Sequence, residues 1–271
     1  AGMDLLGTRD ARAVYDDLLD IASGFAVTDH AADRIRVLTP LPDREAREMR
    51  LDRVLAARDA WEDLDEAARE AVLDAFREYD ERGGSERAAV QAALALREAG
   101  LRGGTFEALD GVDEAALREA AGALGYVDDG QVAAGADEEL DRLRGRLDQA
   151  RDLENGALDV LESVREGDVR SLEAFESAFV EYVASETDIP RGTVRSAAAE
   201  DAVDAADFVT TSLRELVATL EADVDAREGT VAADLTDTIE AARDDVDAAV
   251  DAVDDIAVDV SLGRFAAAHD L

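Results

Sequence analysis

The sequence ends in VDDIAVDVSLGRFAAAHDL (residues 253–271), and this stretch carries small and apolar residues on two helical faces. At helical spacing they form two sets, which are Val253, Ile256, Val260 and Gly263, and then Val258, Leu262, Phe265 and His269. A helix that is apolar on two faces is buried on both. We therefore predict that this helix closes a core whose other helices come from earlier in the chain.

A long acidic segment with one narrow apolar stripe leads into this closing helix. Its apolar residues recur in steps of three, four and seven, and they are Phe208, Leu213, Leu216, Leu220, Val224, Val231, Leu235, Ile239, Val246, Val250 and Val253. One helix over residues 207–259 would be roughly 80 Å long at 1.5 Å per residue. A C-cap at Gly229 and an N-cap at Thr230 would instead fold the segment into a hairpin.

The rest of the chain also has helical periodicity, and no stretch has the alternation of a strand. Val14, Leu18 and Ile21 form an apolar stripe that Ile35 and Leu38 continue. Pro190 and Gly192 indicate a turn. We predict an all-α fold, with an elongated helical core, long antiparallel helices that we call levers, and a small distal helical insert. The predicted parts are an N-terminal core (1–135), an outgoing lever (136–168), a clamp-like insert (169–205), and a return lever with the closing helix (206–271).

The charge balance is strongly acidic. The 271 residues include 66 Asp and Glu against 28 basic residues, every one of them Arg, so the formal net charge is -38. A hydrophobic fraction of 47% argues against disorder. This composition is typical of proteins from extreme halophiles, because the Debye length falls to about 3 Å in molar salt and self-repulsion is screened. The acid excess thus indicates the solvent more than the partner.

Several functional classes are excluded by residue content. Without cysteine there is no disulfide, thiolate metal site or cysteine nucleophile, and without lysine there is no P-loop. No apolar run is long enough for a membrane span and the N-terminus predicts no signal peptide, which favours the cytoplasm. Residues 223–229 (DVDAREG) resemble a calcium loop only until Arg227 occupies a ligand position. We predict no enzyme activity, cofactor or metal in this chain.

Three stretches resemble MutS-related proteins of the branch that lacks a mismatch-reading domain. Residues 14–61 (VYDDLLDIASGFAVTDHAADRIRVLTPLPDREAREMRLDRVLAARDAW) resemble the opening of that branch. Residues 136–164 (ADEELDRLRGRLDQARDLENGALDVLESV) resemble its outgoing lever. Residues 206–271, from ADFVTTSLREL to the closing helix, resemble its return lever. The order of these stretches carries the resemblance, since no single motif is diagnostic.

The resemblance implies a role in DNA repair or recombination control. Such proteins are homodimers whose levers connect an ABC-type ATPase to a clamp that touches branched or duplex DNA. ATP and Mg²⁺ would then belong to an ATPase domain that follows Leu271. This insert departs from the family in being short and helical, with Arg170, Arg191 and Arg195 as its positive charges. Because guanidinium groups suit phosphate oxygens, these three are the predicted nucleic-acid contacts.

Other readings of the sequence stay open. The long stripes also suit a coiled-coil scaffold or dimerisation module without nucleic-acid binding. An enzyme that uses a pair of carboxylates would be indistinguishable among so many acids. Residues 106–120 (FEALDGVDEAALREA) echo a helix–hairpin–helix DNA element, but Asp113 replaces its second glycine and places a negative charge toward the phosphate.

Overall fold

The computed structural model describes residues 2–128, 130–165 and 171–271, and it has the predicted all-α fold. The helices are α1 (Arg9–Ser23), α2 (Asp29–Arg36), α3 (Arg44–Asp63), α4 (Glu66–Glu81), α5 (Glu86–Glu98), α6 (Glu114–Leu124), α7 (Glu138–Asn155), α8 (Ala157–Arg165), α9 (Leu172–Glu186), α10 (Arg191–Ser196), α11 (Ala205–Ala241) and α12 (Arg243–Ala268), with 3-10 turns at Gly2–Leu5 and Gly104–Leu109. Two short antiparallel strands, β1 (Val127–Asp128) and β2 (Gln131–Val132), form a hairpin that the sequence pattern did not predict.

Polar side chains set the start of most helices. Each accepts a hydrogen bond from the backbone N–H three residues on, which satisfies a donor that has no partner inside the helix. The capping residues are Thr8, Thr28, Asp43, Asp65, Ser85, Asp113, Asp137 and Ser171. Thr28 and Asp43, for example, cap α2 and α3 in this way.

The chain divides into two compact units. Residues 1–125 and 237–271 form unit 1, and residues 126–236 form unit 2. The predicted 1–135 part contributes mainly to unit 1, and the predicted 136–168 and 169–205 parts lie in unit 2. The predicted 206–271 part is shared, because the division falls within α11.

The centre of unit 1 is α12, which packs against α1, α2, α3, α5 and α6. The first predicted apolar face of the closing helix is buried, with Val253, Ile256 and Val260 in the core. The second face is buried only in part, because Leu262 is half-buried and His269 is exposed. Polar contacts fix the same packing. The Val27 backbone N–H donates to Ser261 Oγ at 3.0 Å, and the Arg264 guanidinium donates to the Phe25 carbonyl at 2.7 Å. The early helices and the last helix thus share one core.

Unit 2 has a separate core. Its buried residues come from β2 and from the segment that runs from α7 to α11. Phe208 of α11 makes edge-to-face contacts with Phe175 and Phe179 of α9, at 5.8 and 5.5 Å between ring centroids. Ion pairs join α7 to α11, with Arg144 bound to Glu228 at 3.1 Å and Arg151 bound to Glu221 at 2.8 Å. As the residue number rises from Arg144 to Arg151 along α7, that of the ion-pair partner on α11 falls from Glu228 to Glu221. The two helices therefore run antiparallel.

The long predicted helices are interrupted at places that the apolar stripe does not reveal. The return helix runs without a break through Gly229, so the hairpin alternative is wrong. It ends instead at Ala241, and α12 begins after a turn at Ala242. The outgoing helix is divided at Gly156, whose backbone N–H donates to the Asp152 carbonyl at 3.0 Å.

One smaller prediction is also wrong, and one predicted apolar stripe lies outside the core. The turn predicted from Pro190 and Gly192 is a short helix, α10, because Pro190 occupies its N-cap position with an extended ψ of 137°. The Val14, Leu18 and Ile21 stripe of α1 is exposed, because α1 packs through Leu19 and Ala22 instead. Within the described residues, every helix is too short or too polar to cross a membrane.

Candidate nucleic-acid contacts and an arginine-bearing groove

Two of the three predicted nucleic-acid contacts lie together on α10 in unit 2. Arg191 and Arg195 are four residues apart and therefore share one helix face. The Arg191 guanidinium donates to both carboxylate oxygens of Glu181, at 3.0 and 2.6 Å, and this pairing raises its pKa above the ordinary value. Arg195 is exposed and forms no ion pair with the described residues. Arg170 lies outside the described residues.

The surroundings of α10 are acidic. A cavity of about 410 Å³ follows the helix, and its walls include Glu200, Asp201, Asp207 and Glu215. Glu181 already neutralises Arg191, so this face offers a phosphate one unpaired guanidinium, that of Arg195. The electrostatic attraction for a nucleic-acid backbone is accordingly weak.

The stretch that resembles a helix–hairpin–helix element, residues 106–120, contains the start of α6 with Asp113 as an ordinary N-cap. The Asp113 carboxylate accepts from the backbone N–H groups of Ala115 and Ala116 at 2.9 and 3.2 Å. These amides at the start of α6 are the donors that would otherwise be free for an anion. The negative charge of Asp113 therefore occupies the position that a phosphate would need.

A different cluster of arginines stands out in unit 1, in a groove beside α3 that sequence reasoning missed. We call it the arginine groove, and its volume is about 600 Å³. Its walls are Leu5, Leu6, Tyr15, Pro40, Leu41, Pro42, Arg47, Arg50, Leu51 and Val54. No Asp or Glu of the described part of the chain lines it, although acids make up 66 of the 271 residues.

Arg47 and Arg50 are held by backbone oxygens rather than by carboxylates. The Arg47 Nε–H donates to the Asp43 carbonyl at 3.1 Å, and an Arg50 guanidinium N–H donates to the Thr39 carbonyl at 3.3 Å. Neither forms an ion pair with any residue that the structure describes. By contrast, Arg44 on the same helix donates to Glu48 at 2.6 Å. The groove thus carries two cations whose charge is not matched locally.

Tyr15 forms part of the wall near Arg50. Burial raises the pKa of its hydroxyl above 10.0, and the positive charge of Arg50 partly opposes that shift. The phenol is therefore neutral at ordinary pH and can both donate and accept a hydrogen bond.

A neighbouring cavity between α2, α3 and α12 shares Arg50 with the arginine groove, but its other two arginines are matched by carboxylates. It measures about 280 Å³, and Arg34 and Arg53 line it together with Asp255 and Asp259. Arg34 binds Asp255 at 2.8 Å, and Arg53 binds Asp259 at 2.5 Å. These pairs join α12 to the helices around it, so we assign them to the core of unit 1 rather than to a site.

The sequence did contain one signal for the arginine groove. Arg47 and Arg50 are three residues apart on a helix, with apolar Leu51 and Val54 on the same side and two prolines just before the helix. In so acidic a chain, most arginines are expected to form an ion pair with a carboxylate. The sequence does not show which arginines remain without one.

No group of three or more His, Asp or Glu side chains within residues 2–128, 130–165 and 171–271 is placed to hold a metal ion. The chain matches no protein family, no curated protein and no solved structure. The functional argument therefore depends on the arrangement of the chain itself.

Proposed function

We propose that this chain is the core and clamp module of a MutS-like DNA repair or recombination protein. It would act in the cytoplasm as a homodimer and couple nucleic-acid binding to an ATPase domain outside this chain. The supporting observation is the inserted unit: residues 126–236 form a separate compact unit, while the segments on either side share one core. In this proposal unit 1 is the core, α7 and α11 are the levers, and the segment around α9 and α10 is the clamp.

The proposed DNA binding is weak for this chain alone. Arg191 is already paired with Glu181, and Arg195 is the described guanidinium of the insert that could reach a phosphate without breaking an ion pair. Each phosphate contact adds about one unit to the slope of log affinity against log salt concentration. We expect a small salt slope, and affinity that is lost in molar salt unless other domains contribute.

Fluorescence anisotropy with a labelled four-way junction and a labelled duplex tests the DNA role. We expect weak binding in dilute KCl, with preference for the junction, and a loss of most of that binding in a variant with Arg170, Arg191 and Arg195 all changed to Gln. Arg142→Gln is the matched control, because Arg142 is an exposed arginine of unit 2 on α7 that pairs with Glu139. The DNA role is rejected if neither DNA binds to this chain or to the longest natural protein that contains it.

A second candidate function is a dimerisation scaffold without nucleic-acid binding. One observation favours it: the Val14, Leu18 and Ile21 side chains are 67%, 45% and 53% exposed, and they form a continuous apolar stripe on α1. Burying such a stripe against a second copy would remove it from water. If this stripe forms the interface, Leu18→Glu should convert the dimer to a monomer in light scattering after size exclusion. Val37→Glu, which changes an exposed apolar residue outside α1, should leave the mass unchanged.

A further inference from the structure

We propose that the arginine groove docks a short acidic peptide segment of a partner protein, whose apolar side chains enter the groove and whose carboxylates bind Arg47 and Arg50. This inference is independent of the DNA role, because it concerns unit 1 and a protein partner. It would hold equally for a repair module and for a scaffold.

The shape and lining of the groove fit such a segment. Eight of the ten wall residues are leucine, proline, valine or tyrosine, and the volume of about 600 Å³ lies in the range of sites that enclose a small ligand. Pro40 and Pro42 have fixed φ angles, so this wall needs little ordering when a ligand binds. A few residues with leucine-like side chains would fill the groove and leave little water in it.

The charge of the groove selects an anion. Neighbouring arginines on α2 and α3 are matched by carboxylates, namely Arg34 by Asp255, Arg44 by Glu48 and Arg53 by Asp259. Arg47 and Arg50 are bound only to carbonyl oxygens among the described residues, and each guanidinium keeps N–H groups for a further acceptor. Arginine binds carboxylates in a planar two-bond geometry, and such charge-assisted bonds are about twice as strong as neutral ones.

The apolar walls favour a peptide over a nucleic acid. A phosphodiester backbone has no apolar side chains to place against Leu5, Leu41 and Leu51, whereas an acidic amphipathic peptide has both groups that the groove requires. Salt strengthens this distinction. Counterion release makes DNA binding fall steeply as salt rises, while apolar burial persists in molar salt. The acidic composition indicates that the protein works in such salt.

The test uses fluorescein-labelled peptides with blocked ends and anisotropy in molar KCl. Leu-Glu-Glu-Leu carries both features, Leu-Gln-Gln-Leu lacks the charges, and Ser-Glu-Glu-Ser lacks the apolar side chains. We expect Leu-Glu-Glu-Leu to bind at least about tenfold more tightly than either control, because the groove supplies two charge-assisted contacts and an apolar surface.

Variants of the whole chain locate the binding. Arg50→Gln and Arg47→Gln should each weaken binding of Leu-Glu-Glu-Leu about tenfold and leave binding of Leu-Gln-Gln-Leu unchanged. Arg44→Gln is the matched control, since Arg44 is on the same helix but pairs with Glu48 and does not line the groove. Circular dichroism checks that each variant is folded, as expected for changes at polar side chains.

Two results would overturn the proposal. One is equal affinity for the charged and uncharged leucine peptides, or binding that Arg50→Gln leaves intact. The other is displacement of the peptide by duplex DNA in molar KCl, which would make the groove a nucleic-acid surface.

Discussion

Gly263 of α12 lies directly against the backbone of Ala57 in α3. A Cβ atom on Gly263 would lie 2.6 Å from the Ala57 carbonyl carbon and 2.8 Å from the Arg58 backbone nitrogen. Real Cβ atoms do not approach backbone so closely, so the two helices cross at a distance that glycine alone permits. Ala57 is itself 2% exposed, which leaves no room for either helix to move aside without opening the core.

Gly263→Ala should destabilise unit 1. The added methyl group forces α3 and α12 apart, and overpacking of this kind costs about 1–3 kcal/mol. Urea denaturation in molar KCl, followed by circular dichroism, measures the change in the free energy of unfolding. Gly229→Ala is the matched control, because a Cβ there would meet nothing within 4 Å and alanine favours a helix by about 0.5–1 kcal/mol over glycine. Equal effects of the two changes would contradict the close crossing.

Replacing Arg53 and replacing Asp259 should lower the free energy of unfolding by different amounts. The Asp259 side chain is 11% exposed and that of Arg53 is 60% exposed. Burial raises the pKa of Asp259 even though Arg53 lowers it, so desolvation of the carboxylate outweighs the attraction. Arg53→Gln strands a buried charge and should cost about 1–3 kcal/mol, whereas Asp259→Asn should stay within about 1 kcal/mol of the wild type. Urea denaturation near neutral pH measures both.

The alternative outcome for this pair is equally clear. If Asp259→Asn proves as damaging as Arg53→Gln, the attraction between the charges exceeds the desolvation of Asp259. Arg36→Gln serves as the control, because its pairing with Asp33 on the surface of α2 should contribute little.

Asp137 should titrate at unusually low pH. Hydrogen bonds from Arg227, at 2.9 and 2.6 Å, lower its pKa from 3.8 to about 2, and the Leu140 backbone N–H contributes as well. The folded pKa is the lower one, so the stabilisation is present above about pH 4 and is lost as pH falls through 2. Carbon NMR titration should show the pKa of Asp137 rise toward 3.8 in Arg227→Gln. Arg151→Gln, which removes a different α7–α11 pair, should leave the pKa of Asp137 unchanged.

The Tyr79 hydroxyl should ionise at a higher pH than an ordinary tyrosine. It is buried at the contact of α4 with α12, and its hydroxyl donates to Asp254 at 2.9 Å. Burial is the main cause that raises its pKa from 10.0 to about 12, and the Asp254 bond and charge add to it. Because the folded pKa is the higher one, the stabilisation is full below pH 10 and is lost as pH rises through 12.

Ultraviolet absorbance of tyrosinate measures this titration. Tyr79→Phe should remove the step near pH 12 and cost about 1–3 kcal/mol near neutral pH, because the hydrogen bond to a charged group is lost. Tyr126→Phe removes a phenol in a residue that is 38% exposed, and it should leave the late step in place. Because the pKa of Tyr15 is also raised, both proteins carry Tyr15→Phe, and a late step that then survives Tyr79→Phe would refute the assignment.

Periodicity predicted much of the fold because it reports which residues share a helix face. It correctly identified the closing helix, since residues such as Val253 and Ile256 can be buried together only if a core surrounds them. It did not identify the buried side of α1, which has two apolar faces. Spacing does not say which face meets the core, and the face with Leu19 and Ala22 does so while Leu18 stays exposed.

Interruptions and surface charges were beyond the reach of the sequence for physical reasons. A glycine within a helix costs about 1 kcal/mol, which surrounding contacts readily offset, so Gly229 stays helical. No glycine or proline lies near the break at Ala242, so the sequence does not predict it. Whether an arginine forms an ion pair depends on which carboxylates the fold brings close to it. Arg191 is paired with Glu181, whereas Arg47 and Arg50 bind only backbone carbonyls among the described residues.

The shared core of unit 1 has a consequence for synthesis on the ribosome. The Val27–Ser261 hydrogen bond joins positions 234 residues apart, whereas residues 126–236 are contiguous. During synthesis, α1 to α6 emerge before α12. The apolar side chains that share a core with α12, such as Phe76 and Leu96, therefore lack part of that core until α12 is made. Unit 2 can complete its fold during that interval, and long-range closure is slow. Within this chain, α1 to α6 are therefore made before unit 2 but become native after it, so they need protection from aggregation until α12 is made.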